Sequence, residues 1–172
     1  KAESRGLGDV YKRQTVHRRE NWGEPLRSIA DGFLRVLDSH RDTALLLPLH
    51  KNPTVREPLQ QLLGSHPRVF LCEPLDYDSL VAAIRGSTLL LTDSGGLQEE
   101  APSLGKPVLV LRRTTERPEA VQAGTAKLIG TDGDVIASEA SLLLDNPQAY
   151  EAMARAHNPV SYTHLTLPTT KN

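Results

Sequence analysis

The stretch that decides the fold is residues 87–111, which read STLLLTDSGGLQEEAPSLGKPVLVL. The apolar run Leu89–Leu91 predicts a buried strand, and Asp93–Gly96 predicts a tight turn into a short helix. Gly105–Pro107 then turns the chain into a second apolar strand, Val108–Leu111. At the start of such a helix, unpaired backbone N–H groups and the positive end of the helix dipole point to the same place. The unit therefore predicts an anion site, most often for a phosphate.

The residues of the turn are suited to a ligand, although a plain helix cap remains an alternative. Ser94 adds a hydroxyl donor, while Gly95 and Gly96 permit backbone conformations closed to other residues and a close approach of the ligand. A cap by Ser94 or Asp93 would explain the same residues, because the spacing is neither GxGxxG nor a P-loop. Glu100 lies one turn after Gly96, so its carboxylate could accept both hydroxyls of a ribose. The alternative for Glu100 is an acid on a solvated helix face.

Helix and strand patterns alternate along the rest of the chain. The strand patterns are continuous apolar runs, which are typical of a parallel sheet covered by helices on both faces. We therefore predict an α/β fold, a Rossmann-like doubly wound parallel sheet of about five strands, with ligands at the carboxyl ends of the strands. Further strands are predicted at 44–47, 68–72 and 126–129. Further helices are predicted at 25–40, 116–122, 132–145 and 147–157. Two more helices are predicted, one whose start is bracketed by Pro53 and Pro58 and which ends at Gly64, and one that follows capping residues at 76–79.

Composition excludes several classes of function. The 172 residues carry a net charge of −1 and show no basic stripe interleaved with aromatic residues, so we expect no nucleic acid partner. No apolar stretch approaches the ~20 residues needed to span a bilayer, so we expect no membrane partner. Cys72, the single cysteine, lies in an apolar run and is interpreted as a small buried residue. One cysteine cannot form an internal disulfide, which favours a cytoplasmic location.

Three further positions are candidates for binding or catalysis. Arg117 lies in a predicted first helical turn, where a positive charge opposes the dipole and indicates a bound anion, or pairing with Glu116 or Glu119. His17 opens the charged loop HRREN and could stabilise or protonate a diphosphate leaving group, although a charged loop is usually only solvated. His50 lies just past a strand end and has the same two interpretations. No cluster has the spacing of a metal site.

The motifs together resemble those of the non-hydrolysing bacterial UDP-N-acetylglucosamine 2-epimerases. The resemblance covers 15–159 in register and rests on HRREN at 17–21, PLHKNPTVREP at 48–58, TDSGGLQEEAPSLGKPVLVLR at 92–112, TTERPEA at 114–120 and RAHNP at 155–159. It implies the C-terminal, UDP-binding half of a glycosyltransferase-B-like fold, and a homodimer in the full-length protein. It also implies interconversion of UDP-GlcNAc and UDP-ManNAc without a cofactor, by elimination and re-addition of UDP.

The resemblance also implies roles for individual residues. It makes His17 catalytic, and it makes His50 part of a possible regulatory site. No metal is implied. The residues that it implies for UDP are Ser94, Gly95, Gly96, Glu100 and Arg117.

The two ends are expected to lie outside the native domain. Residues 1–14 and 160–172 show no period that continues into their neighbours, and they resemble translated adapter sequences. We therefore expect a UDP-binding domain at 15–159, truncated at both ends and inactive alone. The alternatives are a sugar transferase of the glycosyltransferase-B type, a hydrolysing 2-epimerase and a non-catalytic nucleotide-binding module.

Overall fold

Helices and parallel strands alternate through the part of the chain that the structure describes. The structure is a computed structural model, and it describes residues 16, 18–115 and 118–156. The predicted tails at 1–14 and 160–172, together with His17 and Arg117, lie outside the described residues. The described elements are a 3-10 helix at Arg19–Asn21, the helices α1 (Glu24–Ser39), α2 (Pro53–Leu63), α3 (Tyr77–Gly86), α4 (Gly95–Ser103), α5 (Pro118–Ala123), α6 (Gly133–Asp145) and α7 (Pro147–Ala154), and the strands β1 (Leu45–Pro48), β2 (Val69–Cys72), β3 (Leu90–Thr92), β4 (Val108–Val110) and β5 (Ala126–Leu128).

The five strands form two hydrogen-bonded groups, and every pair within them is parallel. β1 pairs with β2, with Leu45 opposite Val69. β4 lies between β3 and β5, with Val108 opposite both Leu90 and Ala126. The predicted α/β class is confirmed. The described strands nevertheless pair as two groups and not as one continuous sheet, and a cavity separates β1 from β3.

Helices cover both faces of the strands, as the continuous apolar runs predict. Leu109 of β4 belongs to one buried cluster with residues of α1, α2 and α6. Its neighbours Val108 and Val110 belong to the opposite cluster, with residues of α3, α4 and α5. All three residues of β4 are fully buried, because side chains alternate between the two faces and both faces are covered.

Most predicted elements are present within a few residues of their expected ends, and two details are wrong. Pro58 does not help to bracket the start of a helix, because α2 begins at Pro53 and Pro58 lies inside it. Cys72 is only half-buried at the end of β2, although burial still raises the pKa of its thiol. No described helix is long and apolar enough to cross a bilayer.

The helices α1 and α6 approach each other closely through two glycines. A Cβ at Gly133 would lie 2.8 Å from the carbonyl oxygen of Ser28, and one at Gly32 would lie 2.9 Å from Ile136 Cβ. Any larger residue at these positions would force the two helices apart, so the missing side chains are what allows this packing.

Candidate functional site

Polar residues collect where the parallel strands end. His50 lies beyond β1, Glu73 follows β2, Asp93 follows β3 and Arg112 lies just past β4. The carboxyl ends of parallel strands in a doubly wound fold meet at one edge, and ligands bind there. The candidate site therefore lies around the N-terminus of α4, next to the ends of β3 and β4.

The N-terminus of α4 carries an unpaired hydroxyl. Ser94 caps the helix without a side-chain capping bond, and its backbone N–H donates to Thr92 Oγ1 at 2.9 Å. The side chain of Ser94 is wholly buried, and its Oγ has no hydrogen-bond partner among the described residues. The interpretation of Gly95 and Gly96 needs correction, because both lie in the first helical turn and not in a conformation closed to other residues. Because glycine has no side chain, these two residues allow a ligand to approach the backbone at the start of the helix.

A second unpaired polar atom lies one turn further along α4. The side chain of Gln98 is also wholly buried, and its Oε1 accepts a 2.6 Å hydrogen bond from Thr115 Oγ1. This bond fixes the orientation of the amide, which leaves Nε2 without a partner within the described part of the chain. Buried polar atoms are nearly always paired with protein, water or ligand, so Ser94 Oγ and Gln98 Nε2 are two atoms that a polar ligand could pair here.

Asp93 joins the loop at residues 18–21 to the start of α4. Its carboxylate is fully buried, and its Oδ2 accepts 2.9 Å hydrogen bonds from the Arg18 backbone N–H and from Asn21 Nδ2. Asn21 Nδ2 also donates to the Leu111 carbonyl at 3.3 Å, which adds the end of β4 to the same network. The segment at 18–21 and the glycine turn, which are far apart in sequence, are therefore neighbours in the fold.

Two arginines bring positive charge to this edge. Glu20 Oε1 lies 3.0 Å from Arg18 Nε and 3.2 Å from Arg112 Nε. Arg112 is 7% exposed, so its guanidinium is largely withdrawn from water. Glu20 offsets one of these two positive charges, so the remaining charge and the N-terminal end of α4 favour an anion at the site.

Tyr77 holds the carboxylate that was predicted to bind a ribose. Tyr77 Oη donates a 2.6 Å hydrogen bond to Glu100 Oε1, which links the first residue of α3 to α4. The bond to the Glu100 carboxylate, with burial as a smaller cause, raises the pKa of Tyr77, so the phenol stays a donor at neutral pH. Glu100 is thus fixed by a partner and is not a freely solvated acid.

His50 belongs to a separate group at the ends of β1 and β2. His50 Nδ1 accepts from the Asn52 backbone N–H at 3.1 Å, just before α2. Arg56 donates to both oxygens of Glu73, at 2.7 and 3.0 Å, and also to the His50 carbonyl. The bond from Arg56 lowers the pKa of Glu73. No described trio of His, Cys, Asp or Glu side chains is placed to hold a metal ion.

The structure brings together only part of the predicted set. Ser94, Gly95 and Gly96 lie at the start of α4, and Glu100 follows in the same helix, whereas His50 lies with the other strand group. Sequence reasoning missed three partners. The sequence suggests Asp93 only as a helix cap, whereas it accepts bonds from the 18–21 segment. Tyr77 lies in a predicted first helical turn and Gln98 lies beside the glycine turn, and these positions are the only signals of their roles.

Comparison with known proteins assigns the family. Residues 7–164 match the family model described as UDP-N-acetylglucosamine 2-epimerase. Over 145 residues, 84% of this chain, the identity is 50% to the UDP-N-acetylglucosamine 2-epimerases of Escherichia coli K12 and Bacillus subtilis 168. The chain spans 39% and 38% of the lengths of these relatives. The crystal structure of the Neisseria meningitidis UDP-GlcNAc 2-epimerase bound to UDP-GlcNAc superposes with a TM-score of 0.82 at 46% identity, covering 92% of this chain and 44% of that one. The chain belongs to the UDP-N-acetylglucosamine 2-epimerase family.

Proposed function

We propose that this chain supplies the UDP-binding half of a non-hydrolysing UDP-N-acetylglucosamine 2-epimerase, an isomerase. The observation that carries the proposal is the start of α4, where the buried Ser94 hydroxyl has no described partner and Glu100 is held by Tyr77. We further propose the native domain boundaries at residues 15 and 159, a homodimer for the whole protein, and a cytoplasmic location.

In the proposed complex, the diphosphate of UDP lies against the N-terminus of α4. Ser94 Oγ and the backbone N–H groups of Gly95 and Gly96 donate to phosphate oxygens, and the helix dipole stabilises their charge. Glu100 accepts from the ribose hydroxyls, and Tyr77 keeps its carboxylate aligned. Each of these contacts uses an atom that the fold already holds in place, so little ordering is left for the ligand to impose.

The proposed reaction needs this half because its leaving group is UDP. A base removes the proton at C2 of the sugar, the C1–oxygen bond to UDP breaks, and the electron pair goes to the diphosphate. UDP then adds back to the 2-acetamidoglucal, and the proton returns to the other face of C2. Donors and positive charge at the diphosphate stabilise the negative charge that develops there. His17 and Arg117 are proposed to act at the same group.

The test is an NMR titration of the 172-residue chain with UDP, with inorganic phosphate as a second ligand. We expect UDP binding in the millimolar range or tighter, with shifts at the amides of Gly95 and Gly96. Glu100→Gln is expected to weaken UDP by at least about tenfold, since a hydrogen bond to a charged group contributes about 1.5–3 kcal/mol. The exposed Glu57→Gln on α2 is the matched control and should bind as the parent chain does.

Two further variants separate the diphosphate contact from the ribose contact. Ser94→Ala should weaken UDP and phosphate alike, whereas Glu100→Gln should weaken UDP alone; Ser138→Ala, at an exposed position of α6, is the control. Tyr77→Phe keeps the ring but removes the bond to Glu100, which should weaken UDP by roughly fivefold through about 1 kcal/mol of lost alignment. UDP affinity that is undetectable, or equal in all these variants, would refute the proposal.

Catalysis by the chain alone is a separate question. We expect no exchange of the C2 proton of UDP-GlcNAc in deuterated water with this chain as the only protein. Exchange above the protein-free rate would show that the chain carries its own base, contrary to the proposal that this half binds UDP without supplying the base.

A further inference from the structure

The first turn and a half of α4 contains a buried glutamine to which the proposed function gives no role. Gln98 and Ser94 are both fully buried, and within the described residues neither Gln98 Nε2 nor Ser94 Oγ has a hydrogen-bond partner. An unpaired buried polar group destabilises a fold, so a methionine or leucine would be the more stable choice at position 98. The glutamine therefore calls for an explanation in terms of binding.

Thr115 determines which end of the Gln98 amide is left to bind another group. Thr115 Oγ1 donates a 2.6 Å hydrogen bond to Gln98 Oε1. The oxygen and the nitrogen of a carboxamide lie on opposite branches of one plane, so this bond turns Nε2 away from Thr115. The nitrogen of a carboxamide is a donor and not an acceptor. Gln98 therefore presents N–H groups, and it is the loop at 112–115 that keeps them in this orientation.

Gln98 and Ser94 lie on the same face of α4. They are four residues apart, with Ser94 as the N-cap, and side chains at this spacing are neighbours on a helix surface. Helical side chains also lean towards the N-terminus, which brings the longer Gln98 side chain back towards Ser94. The two unpaired atoms do not bond to each other. One oxygen atom placed between them would accept from both.

The chemistry of this place selects an anionic oxygen. Gln98 Nε2 only donates, Ser94 Oγ can donate, and the backbone N–H groups of the first turn of α4 are donors as well. The positive end of the helix dipole lies at the same end of α4. A phosphate oxygen carries negative charge and several lone pairs but no hydrogen, so it can accept from more than one of these groups. A water molecule would bring two hydrogens to a place where donors prevail.

We propose that Gln98 is a further residue of the anion site, where its Nε2–H and the Ser94 hydroxyl donate to one oxygen of the bound diphosphate while Thr115 holds the amide in place. This inference rests on the proposed function, because it takes the diphosphate of UDP as the anion. Donation to a charged oxygen polarises the amide and strengthens the bond that Oε1 accepts from Thr115. Gln98 thereby couples the loop at 112–115 to the binding of the ligand.

The direct test observes the Gln98 side-chain amide by NMR in the 172-residue chain, labelled with 15N-glutamine. Its signal is assigned by its loss in Gln98→Met. Saturating UDP and saturating inorganic phosphate should each shift this signal, whereas uridine, which has no phosphate, should leave it in place. The side-chain amide of Gln60, at an exposed position of α2, is the internal control. A Gln98 signal that stays in place when the Gly95 and Gly96 amides show saturation would overturn the proposal.

Two substitutions of Gln98 separate binding from folding. Gln98→Met keeps the size of the side chain and removes the unpaired N–H groups, so the urea midpoint without ligand should stay the same or rise, while the affinities for UDP and phosphate fall at least about tenfold. Gln98→Glu replaces the donor by an acceptor and should weaken both ligands further, with Gln60→Glu as the control of equal charge. If Gln98→Met lowers the midpoint and leaves both affinities unchanged, the residue is structural. If Gln98→Glu binds as Gln60→Glu does, the amide accepts and does not donate. Either result overturns the proposal.

A double-mutant cycle tests the part assigned to Thr115. Thr115→Val keeps the shape but removes the bond to Gln98 Oε1, so it should weaken UDP and phosphate by about threefold in the parent chain and have no further effect in Gln98→Met. Additive effects would contradict the coupling. The outcomes also distinguish this inference from the proposed function. If Ser94→Ala weakens both ligands while Gln98→Met binds them as the parent does, only the role of Gln98 falls; if the parent chain binds neither ligand, both fall.

Discussion

Asp93→Ala is expected to be one of the most destabilising polar substitutions in the described part of the chain. Its carboxylate is fully buried, and one oxygen accepts from both the Arg18 backbone and Asn21 Nδ2. Truncation removes that acceptor from both donors, of which the Asn21 bond is buried and the Arg18 bond partly buried. The substitution would therefore separate the loop at 18–21 from the start of α4.

The magnitude follows from the two bonds. A buried donor left unsatisfied costs about 1–3 kcal/mol. The Arg18 N–H is partly buried and Asn21 Nδ2 retains its 3.3 Å bond to the Leu111 carbonyl, so each donor should bear about 1.5 kcal/mol. We expect a total loss of about 3 kcal/mol for Asp93→Ala. Asp93→Asn keeps an acceptor oxygen for both donors and loses only the charge, so its cost should be about 1 kcal/mol.

The assay is urea unfolding at neutral pH, followed by circular dichroism at equal protein concentrations. Asp42→Ala, at an exposed loop position, is the matched control and should stay within about 0.5 kcal/mol of the parent chain. If Asp93→Ala costs no more than Asp42→Ala, the two bonds do not hold the loop. If Asp93→Asn costs as much as Asp93→Ala, charge and not the acceptor geometry is responsible, and the reasoning also fails.

Two predictions concern the packing of α1 and α6. Gly133→Ala should lower the free energy of unfolding in urea by about 1–3 kcal/mol, because a Cβ would lie 2.8 Å from a backbone oxygen of α1. The control Gly86→Ala has open space around it and should be neutral or stabilising. Equal effects of the two substitutions would contradict the close approach. The second prediction concerns His40, whose Nε2 lies 2.7 Å from Asp145 Oδ1. Burial lowers the pKa of His40, but the bonds to Asp145 and to the Val36 carbonyl have the larger combined effect and raise this pKa above 6.5. The stabilisation by the His40–Asp145 pair is therefore complete below pH 6.5 and is lost as the pH rises through the raised folded-state pKa. Urea unfolding midpoints should fall over this pH range in the parent chain and should change less in His40→Gln. An unchanged pH dependence in the variant would be inconsistent with this pair.

The local elements were predictable because each is encoded in consecutive residues. The helix expected at 25–40 is α1, Glu24–Ser39, since its apolar residues recur at helical spacing. The caps expected at 76–79 are confirmed by Asp76, whose side chain accepts from the Ser79 backbone N–H. Continuous apolar runs likewise indicated strands buried on both faces.

Contacts between distant segments were not predictable in the same way. The bond from Tyr77 to Glu100 and the bonds from the 18–21 loop to Asp93 join segments 23 to 75 residues apart. No periodicity encodes such pairs, because they depend on how the strands are ordered and which loops meet at an edge.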